Sequence, residues 1–268
     1  MTSLIGVIKN VLNDNVEQPF SVYSSIKEQK LLNVPIAKPL LIVILSGNKE
    51  LGVNGELVCQ AGEFIFLSNS PAIDMRNIPQ DKEYFALLIA FDYQDFVGLN
   101  INALDNKKHH IGKTSSALMQ CLHQFIESAQ WAPKQLVSSR KREILTLLCH
   151  LGHSDILSLL ATPRLQDRLY DMFIAQEGCE LSVQEICQQL AMSESTLRRK
   201  LTLESTSVQK IKDRTRLGLG LHLLQTTQLA IGLVANKCGY QSPSRFTERF
   251  KKQFGLTPSE LRTTKMTE

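Results

Sequence analysis

The sequence predicts a two-domain α+β protein: antiparallel sheet, as a small barrel or sandwich, with helices in the N-terminal half, then an all-α C-terminal half containing a repeated two-helix unit. Three observations carry this. The 268 residues, 43% hydrophobic and 21% charged, exceed one ordinary domain and are apolar enough to bury cores. Short apolar runs separated by turn residues fill Pro39 to Asp92, whereas beyond Asp95 apolar residues recur at three-and-four spacing. Charge divides the same way. Residues 1–162 hold 14 Lys+Arg against 15 Asp+Glu, and residues 163–268 hold 16 against 11. A basic excess of this size points weakly to polyanions and equally describes a solvated surface.

The barrel strands are read from Leu40 to Leu45, Leu51 to Val53, Glu56 to Cys59, Glu63 to Leu67, Ile73 to Met75 and Tyr84 to Phe91. Ser46-Gly47-Asn48, Ala61-Gly62 and Ser68-Asn69-Ser70-Pro71 break them. Val53-Asn54-Gly55-Glu56 is the strongest hairpin signal, because Asn-Gly supplies the positive φ angles of a type I′ turn. Between Thr114 and Gln130, the spacing of Leu118, Cys121, Leu122, Phe125 and Ile126 marks one face of a helix. Lys141 to His150 gives a second helix lying against it. The two fit either a helical layer on the barrel or a dimerisation face.

Gly152 to Thr162 reads as the boundary, with Pro163 suited to a first helical turn, giving domains of residues 1–155 and 163–268. Helical patterns then run from Leu165 to Ala175, Val183 to Leu190, Glu194 to Leu203, Val208 to Leu224, Ile231 to Cys238, Ser244 to Phe254 and Ser259 to Lys265. Within them one grammar occurs twice. Ser182 caps a helix with Glu185 at the capping-box position, Ala191-Met192 turn the chain, and Ser193 caps Glu194 to Leu203. In the second copy Ile231, Val234 and Ala235 form the stripe, Gly239 makes the turn, Ser242 caps and Pro243 follows. Leu197 follows Leu190 by seven positions and Phe246 follows Cys238 by eight, so the second turn is one residue longer.

Each second helix keeps apolar residues on one face (Leu197 and Leu201; Phe246 and Phe250) and polar ones on the other. Ser193, Ser195, Thr196, Arg198 and Arg199, and in the second copy Ser242, Ser244, Arg245, Glu248 and Arg249, are the candidate DNA-binding residues. Arginine donates two bonds to guanine, glutamate accepts from cytosine N4, and hydroxyls bond bases or phosphates. Lys200, Lys251 and Lys252 suit phosphates, a salt-dependent term. Val208 to Leu224 would be a connector of about 25 Å, against the ~34 Å between successive major-groove entries on one face of B-DNA. Gly218 and Gly220 disfavour helix there, and close helix packing is the expected reason.

The segment from Leu165 to Arg262 resembles the DNA-binding domain of the AraC/XylS family of bacterial transcription regulators. The matching residues are Met192-Ser193-Glu194-Ser195-Thr196-Leu197-Arg198-Arg199-Lys200-Leu201, Cys238 to Phe246, and Phe250-Lys251-Lys252-Gln253-Phe254-Gly255-Leu256-Thr257-Pro258-Ser259. Gly232, inside a helix of the second unit, and Gly218 and Gly220 depart from the pattern. The resemblance implies recognition helices at Glu194–Leu203 and Ser244–Phe254 in successive major grooves. It also implies double-stranded DNA and RNA polymerase as partners and, most often, activation. The N-terminal half is similar to the cupin-like barrels with which such proteins sense an effector or dimerise. The implied fold is a cupin-like antiparallel β-barrel with helices, followed by an all-α domain with two helix-turn-helix units.

An effector-binding barrel would be lined by apolar residues such as Leu41, Val43, Phe64, Phe66 and Leu88, which equally describe a filled core. Lys27, Lys30 and Lys38 would draw an acidic effector, although nothing distinguishes them from surface lysines. A regulatory protein docking on the N-terminal half is the alternative switch. The strand region offers no histidine, no Gly-x-Ser-x-Gly elbow and no paired metal ligands, so no enzyme, cofactor or metal is expected. His109-His110 could bind a metal, but an adjacent pair in a polar loop reads as surface. The six cysteines (Cys59, Cys121, Cys149, Cys179, Cys187, Cys238) form no C-x-x-C pair and are expected to be small core residues. No apolar run approaches the ~18 residues of a membrane span, and Met1 to Asn10 lacks a leader pattern, so a cytoplasmic location is expected.

Overall fold

A computed structural model describes residues 3–12, 18–68, 70–99, 108–159, 164–176 and 181–265. Among the described residues, helix α1 (Leu4–Leu12) is followed by nine strands: β1 (Ser21–Ser25), β2 (Gln29–Ile36), β3 (Leu40–Ser46), β4 (Asn48–Leu51), β5 (Leu57–Gln60), β6 (Glu63–Leu67), β7 (Ser70–Ile78), β8 (Tyr84–Ala90) and β9 (His109–Lys113). They form two antiparallel sheets, ordered β1-β8-β3-β6-β9 and β2-β7-β4-β5. Helices α2 (Ser116–Ser128) and α3 (Val137–Leu148) complete this half.

Strands β3, β6 and β8 are buried on both faces, which is why they read as continuous apolar runs. Side chains alternate between the faces. Ile42, Ile44, Ile65, Leu67, Ala86 and Leu88 meet Leu31, Ile36, Leu51, Cys59 and Met75 of the second sheet. Leu41, Val43, Phe64 and Phe66 instead pack with Ile8, Leu122, Phe125 and Leu145 of the helices. Of the five residues expected to line the barrel interior, only Leu88 does so. A strand apolar on both faces carries no sign of which face is inside.

The β4–β5 hairpin forms, but its turn differs from the expectation. β4 begins at Asn48 and ends at Leu51, and five residues link it to β5. Gly52 and Gly55 take positive φ (92° and 69°), whereas Asn54 does not, so the type I′ pair at Asn54-Gly55 is absent. The Gly52 N–H bonds the Asp74 carbonyl of β7, which holds the wider loop to the sheet.

Ser115 caps α2 by accepting from the Leu118 N–H. α3 begins at Val137, four residues before the expected Lys141, and runs into a wide turn, Cys149–His153, where Gly152 reverses the chain at φ 90°. Among the described residues seven helices follow: α4 (Leu165–Ala175), α5 (Val183–Gln189), α6 (Glu194–Leu203), α7 (Val208–Thr226), α8 (Ile231–Lys237), α9 (Pro243–Phe254) and α10 (Pro258–Thr263). Pro163 and Cys179 lie outside the described residues. Cys59, Cys121 and Cys238 are buried, whereas Cys149 and Cys187 are only half-buried, packed against the neighbouring cores and not within them.

The C-terminal half has two cores. Leu169, Phe173, Ile186, Leu197, Leu201 and Ile211 form one, around α5 and α6. The second unit shares its core with the barrel: Leu217, Leu221, Leu224, Phe246, Phe250 and Phe254 join Leu31, Val34 and Tyr84. Helix α7 packs on β1 and β2, the neighbouring end strands of the two sheets, and α9 packs on β2. Gly220 is needed here, since a Cβ would lie 2.8 Å from the Phe246 ring. A Cβ on Gly218 would meet Pro35 of β2 at 3.2 Å, so close packing does account for both glycines. At Gly232 a Cβ would meet only Pro243 at 3.8 Å, and nothing in its surroundings demands glycine.

A polar row crosses this shared core. The buried Lys49 ammonium donates to Asn77 Oδ1 (2.7 Å), and Asn77 donates to Gln29 Oε1 (2.9 Å). Gln225 of α7 donates to the same oxygen (3.1 Å), and Gln29 donates to Thr264 Oγ1 (2.8 Å). Burial pushes the Lys49 ammonium down to about 7 and holds the neighbouring Cys59 thiol up at about 12. Around the row, Tyr84 OH, Ser25 Oγ and Gln225 Oε1 are buried without a hydrogen-bond partner among the described residues.

Candidate nucleic-acid interface

The first two-helix unit is α5, a turn and α6. Ser182 Oγ accepts from the Glu185 N–H and Glu185 Oε2 accepts from the Ser182 N–H (2.8 Å), closing the capping box. The Ser182 hydroxyl also donates to Glu185 Oε2 (2.6 Å), and this bond together with that from the Ser182 N–H lowers the Glu185 carboxyl from its ordinary value. Ala191 takes φ 51° in the turn, and Ser193 caps α6 through the Thr196 N–H. The second unit is α8, a turn through Gly239 (φ 75°), and α9, capped by Ser242 with Pro243 in its first turn. Four residues separate α5 from α6 and five separate α8 from α9, the difference read from the sequence.

The apolar stripes fix which face of each recognition helix turns outward. Leu197 and Leu201 are buried under α6. Phe246, Phe250 and Phe254 are wholly buried under α9, with successive rings 5.5 and 4.6 Å apart. The opposite faces are open. Ser193, Ser195, Arg198, Arg199 and Lys200 are exposed on the first unit, and Ser242, Ser244, Arg245, Glu248, Arg249, Lys251 and Lys252 on the second. Thr196 alone is half-buried, its hydroxyl accepting from Ser193 Oγ at 3.0 Å. Ser193 Oγ also lies 3.0 Å from Ser195 Oγ, so three hydroxyls gather at the start of α6.

Arg198 pairs with Glu194 one turn earlier (2.5 Å) while its side chain stays 76% exposed. The pair holds the guanidinium over the helix start at little cost, since exposed ion pairs contribute roughly 0–1 kcal/mol. On the second unit Ser242, Arg245 and Arg249 line a cleft of about 410 Å³ with Tyr240, Gln241 and three residues of α7: Gln209, Asp213 and Arg216. Burial and the nearby Asp213 carboxylate push the Tyr240 phenol up to about 12, so it stays neutral. The sequence reading missed this α7 stripe, although its three-and-four spacing opposite Ile211 and Leu217 was the available signal. Helix α6 rests on α4 and α5, and α9 on α7, α8, α10 and β2, so α7 is the direct connection between the two recognition surfaces. Its 19 residues span about 28 Å.

The described residues include no group of three or more His, Cys, Asp or Glu arranged to hold a metal ion, and no helix long and apolar enough to cross a membrane. His110, read as surface, is half-buried against His153.

A helix-turn-helix domain family matches residues 186–264. The transcriptional regulator SirC of Salmonella typhimurium strain SL1344 is 34% identical over 107 residues, covering 40% of this chain and 36% of SirC. The HTH-type transcriptional regulator GadX of Escherichia coli strain K12 is 29% identical over 126 residues, covering 45% of this chain and 46% of GadX. The chain thus spans less than half the length of these relatives. An apo single-substitution variant of ToxT from Vibrio cholerae strain SCE256 has the same fold, with a TM-score of 0.67 at 15% identity over 93% of this chain and 99% of ToxT. Unsaturated fatty acid bound wild-type ToxT gives 0.66 at 14% identity, over 94% and 98%. With the two helix-turn-helix units in place, residues 186–264 form a helix-turn-helix domain similar to those of the transcriptional regulators SirC and GadX.

Proposed function

We propose that the protein is a sequence-specific DNA-binding regulator, acting chiefly as an activator in the cytoplasm and contacting RNA polymerase at its promoters. Residues 163–268 place α6 and α9 in successive major grooves, and residues 1–155 respond to an effector or dimerise. The observation that carries the reading is the pair of capped recognition helices, each buried on its apolar face and open on a face of arginine, serine and glutamate or lysine. Arg198 and Arg245 read base edges; Lys200, Lys251 and Lys252 neutralise phosphates. Replacing Arg198 or Arg245 by Ala should cost about 1–3 kcal/mol of binding at particular base pairs only. Equal affinity for target and scrambled duplex at moderate salt contradicts the reading.

For the effector, an acid with an apolar tail is favoured by the polar row behind the barrel–α10 seam. A cleft of about 430 Å³ is lined there by Gln29, Lys30, Leu32, Leu256, Leu261, Thr264 and two carboxylates that are already engaged, Glu28 with Arg76 and Glu260 with the Thr257 N–H, and Gln29 leads through Asn77 to Lys49. The ToxT structure with an unsaturated fatty acid shows that a protein of this fold accepts such a molecule. Titration of the full chain with an unsaturated fatty acid tests this: saturable binding weakened by Lys49→Met supports it, and no binding contradicts it.

A further inference from the structure

We propose that His110 and His153 form a two-imidazole binding site for a divalent transition metal ion of the zinc type, joining strand β9 to the chain beyond α3. His110 Nε2 and His153 Nδ1 lie 3.0 Å apart. Two imidazole nitrogens each about 2.0–2.1 Å from zinc are separated by about 2.9 Å at a right angle and about 3.4 Å at the tetrahedral angle. The pair already has the spacing of adjacent ligands on one ion.

The rings are positioned by their surroundings. Both pack on the buried Phe64, His153 edge-on with centroids 5.0 Å apart at 88°, and His110 tilted at 6.1 Å. Gly112, two residues along β9 from His110, makes room: a Cβ there would lie 2.7 Å from His153 Cε1 and 2.6 Å from the Phe64 ring. Gly152, at φ 90°, turns the chain after α3 and delivers His153 to the strand. Wide helical turns of this kind are frequent at functional sites. β9 is the last strand of its sheet, and both histidines are half-buried, so the site opens to solvent at the sheet edge.

Imidazole suits zinc, copper and nickel, and the neutral ring is the ligating form. With two protein ligands the ion keeps positions for water. Without metal the contact is a single hydrogen bond in which one ring N–H donates to the other ring.

The test is calorimetric titration of the full chain, free of any affinity tag, with Zn²⁺ alone, followed by thermal unfolding with and without the ion. One saturable equivalent per chain is expected, with Tm raised by zinc as mass action requires. His110→Asn and His153→Asn should each remove the saturable equivalent and abolish the Tm rise, whereas His109→Ala and His150→Ala should leave both unchanged. If an Asn variant loses helical signal, His153→Gln repeats the titration. No saturable equivalent, or binding that survives both Asn substitutions, overturns the proposal, as does equal loss in His109→Ala.

Discussion

Lys49→Met tests whether the shared core holds a desolvated amine. In the folded protein burial lowers the Lys49 ammonium from 10.5 to about 7. Between those values the unfolded chain binds the proton and the folded chain does not, so stability rises with pH through this window. Below pH 7 both states are protonated and the whole penalty is present. At 1.36 kcal/mol per pKa unit, the lysine alone should make the wild type about 4 kcal/mol more stable at pH 10 than at pH 6. Lys49→Met removes this slope but leaves Asn77 Oδ1 without its donor, at a cost of about 1–3 kcal/mol. The variant should therefore be the more stable protein at pH 6, with the advantage shrinking and then reversing by pH 10. Urea denaturation of both proteins from pH 6 to 10 reads the difference, and groups common to both cancel. Cys59, raised from 9.0 to about 12, acts in the opposite direction above pH 9, where unfolding releases its proton, but it is present in both proteins and drops out of the difference. A stability difference that does not change with pH refutes the reasoning, because it means water reaches the amine.

Gly220→Val should destabilise by about 1–3 kcal/mol through collision with Phe246, while Gly232→Ala should stabilise by about 0.5–1 kcal/mol, its new methyl meeting nothing closer than 3.8 Å; thermal unfolding separates the two. Leu221→Ala should cost about 2–5 kcal/mol by opening a cavity where α7 meets the barrel, and loss of only a few tenths would argue against a shared core. Ser182→Ala should cost about 1 kcal/mol by removing the α5 cap, measured by chemical denaturation with no change in which bases the protein selects.

The helices of the C-terminal half were legible because each is amphipathic and several carry caps that the chain spells out, such as Ser182 with Glu185 and Ser242 with Pro243. The recognition faces followed from the same periodicity. Helix α1 and strands β1, β2 and β9 were not read as elements. β2 mixes Gln29, Lys30, Asn33 and Pro35 with its apolar residues, because it serves the polar row and the contact with α7 and α9. β9 carries His109, His110 and Gly112, whose reason lies in His153, some forty residues away. The fusion of the second unit's core with the barrel was equally hidden. It depends on Leu32 meeting Gly255 and Asn33 meeting Gln253, pairs more than two hundred residues apart.

Selection of binding sites by the full chain from random duplex DNA, repeated with Arg198→Ala and Arg245→Ala, tests the two-reader geometry most directly. Two short conserved boxes about 10–11 base pairs apart are expected, with Arg198→Ala relaxing one and Arg245→Ala the other. A single box blurred equally by both variants, or no enrichment, would contradict it.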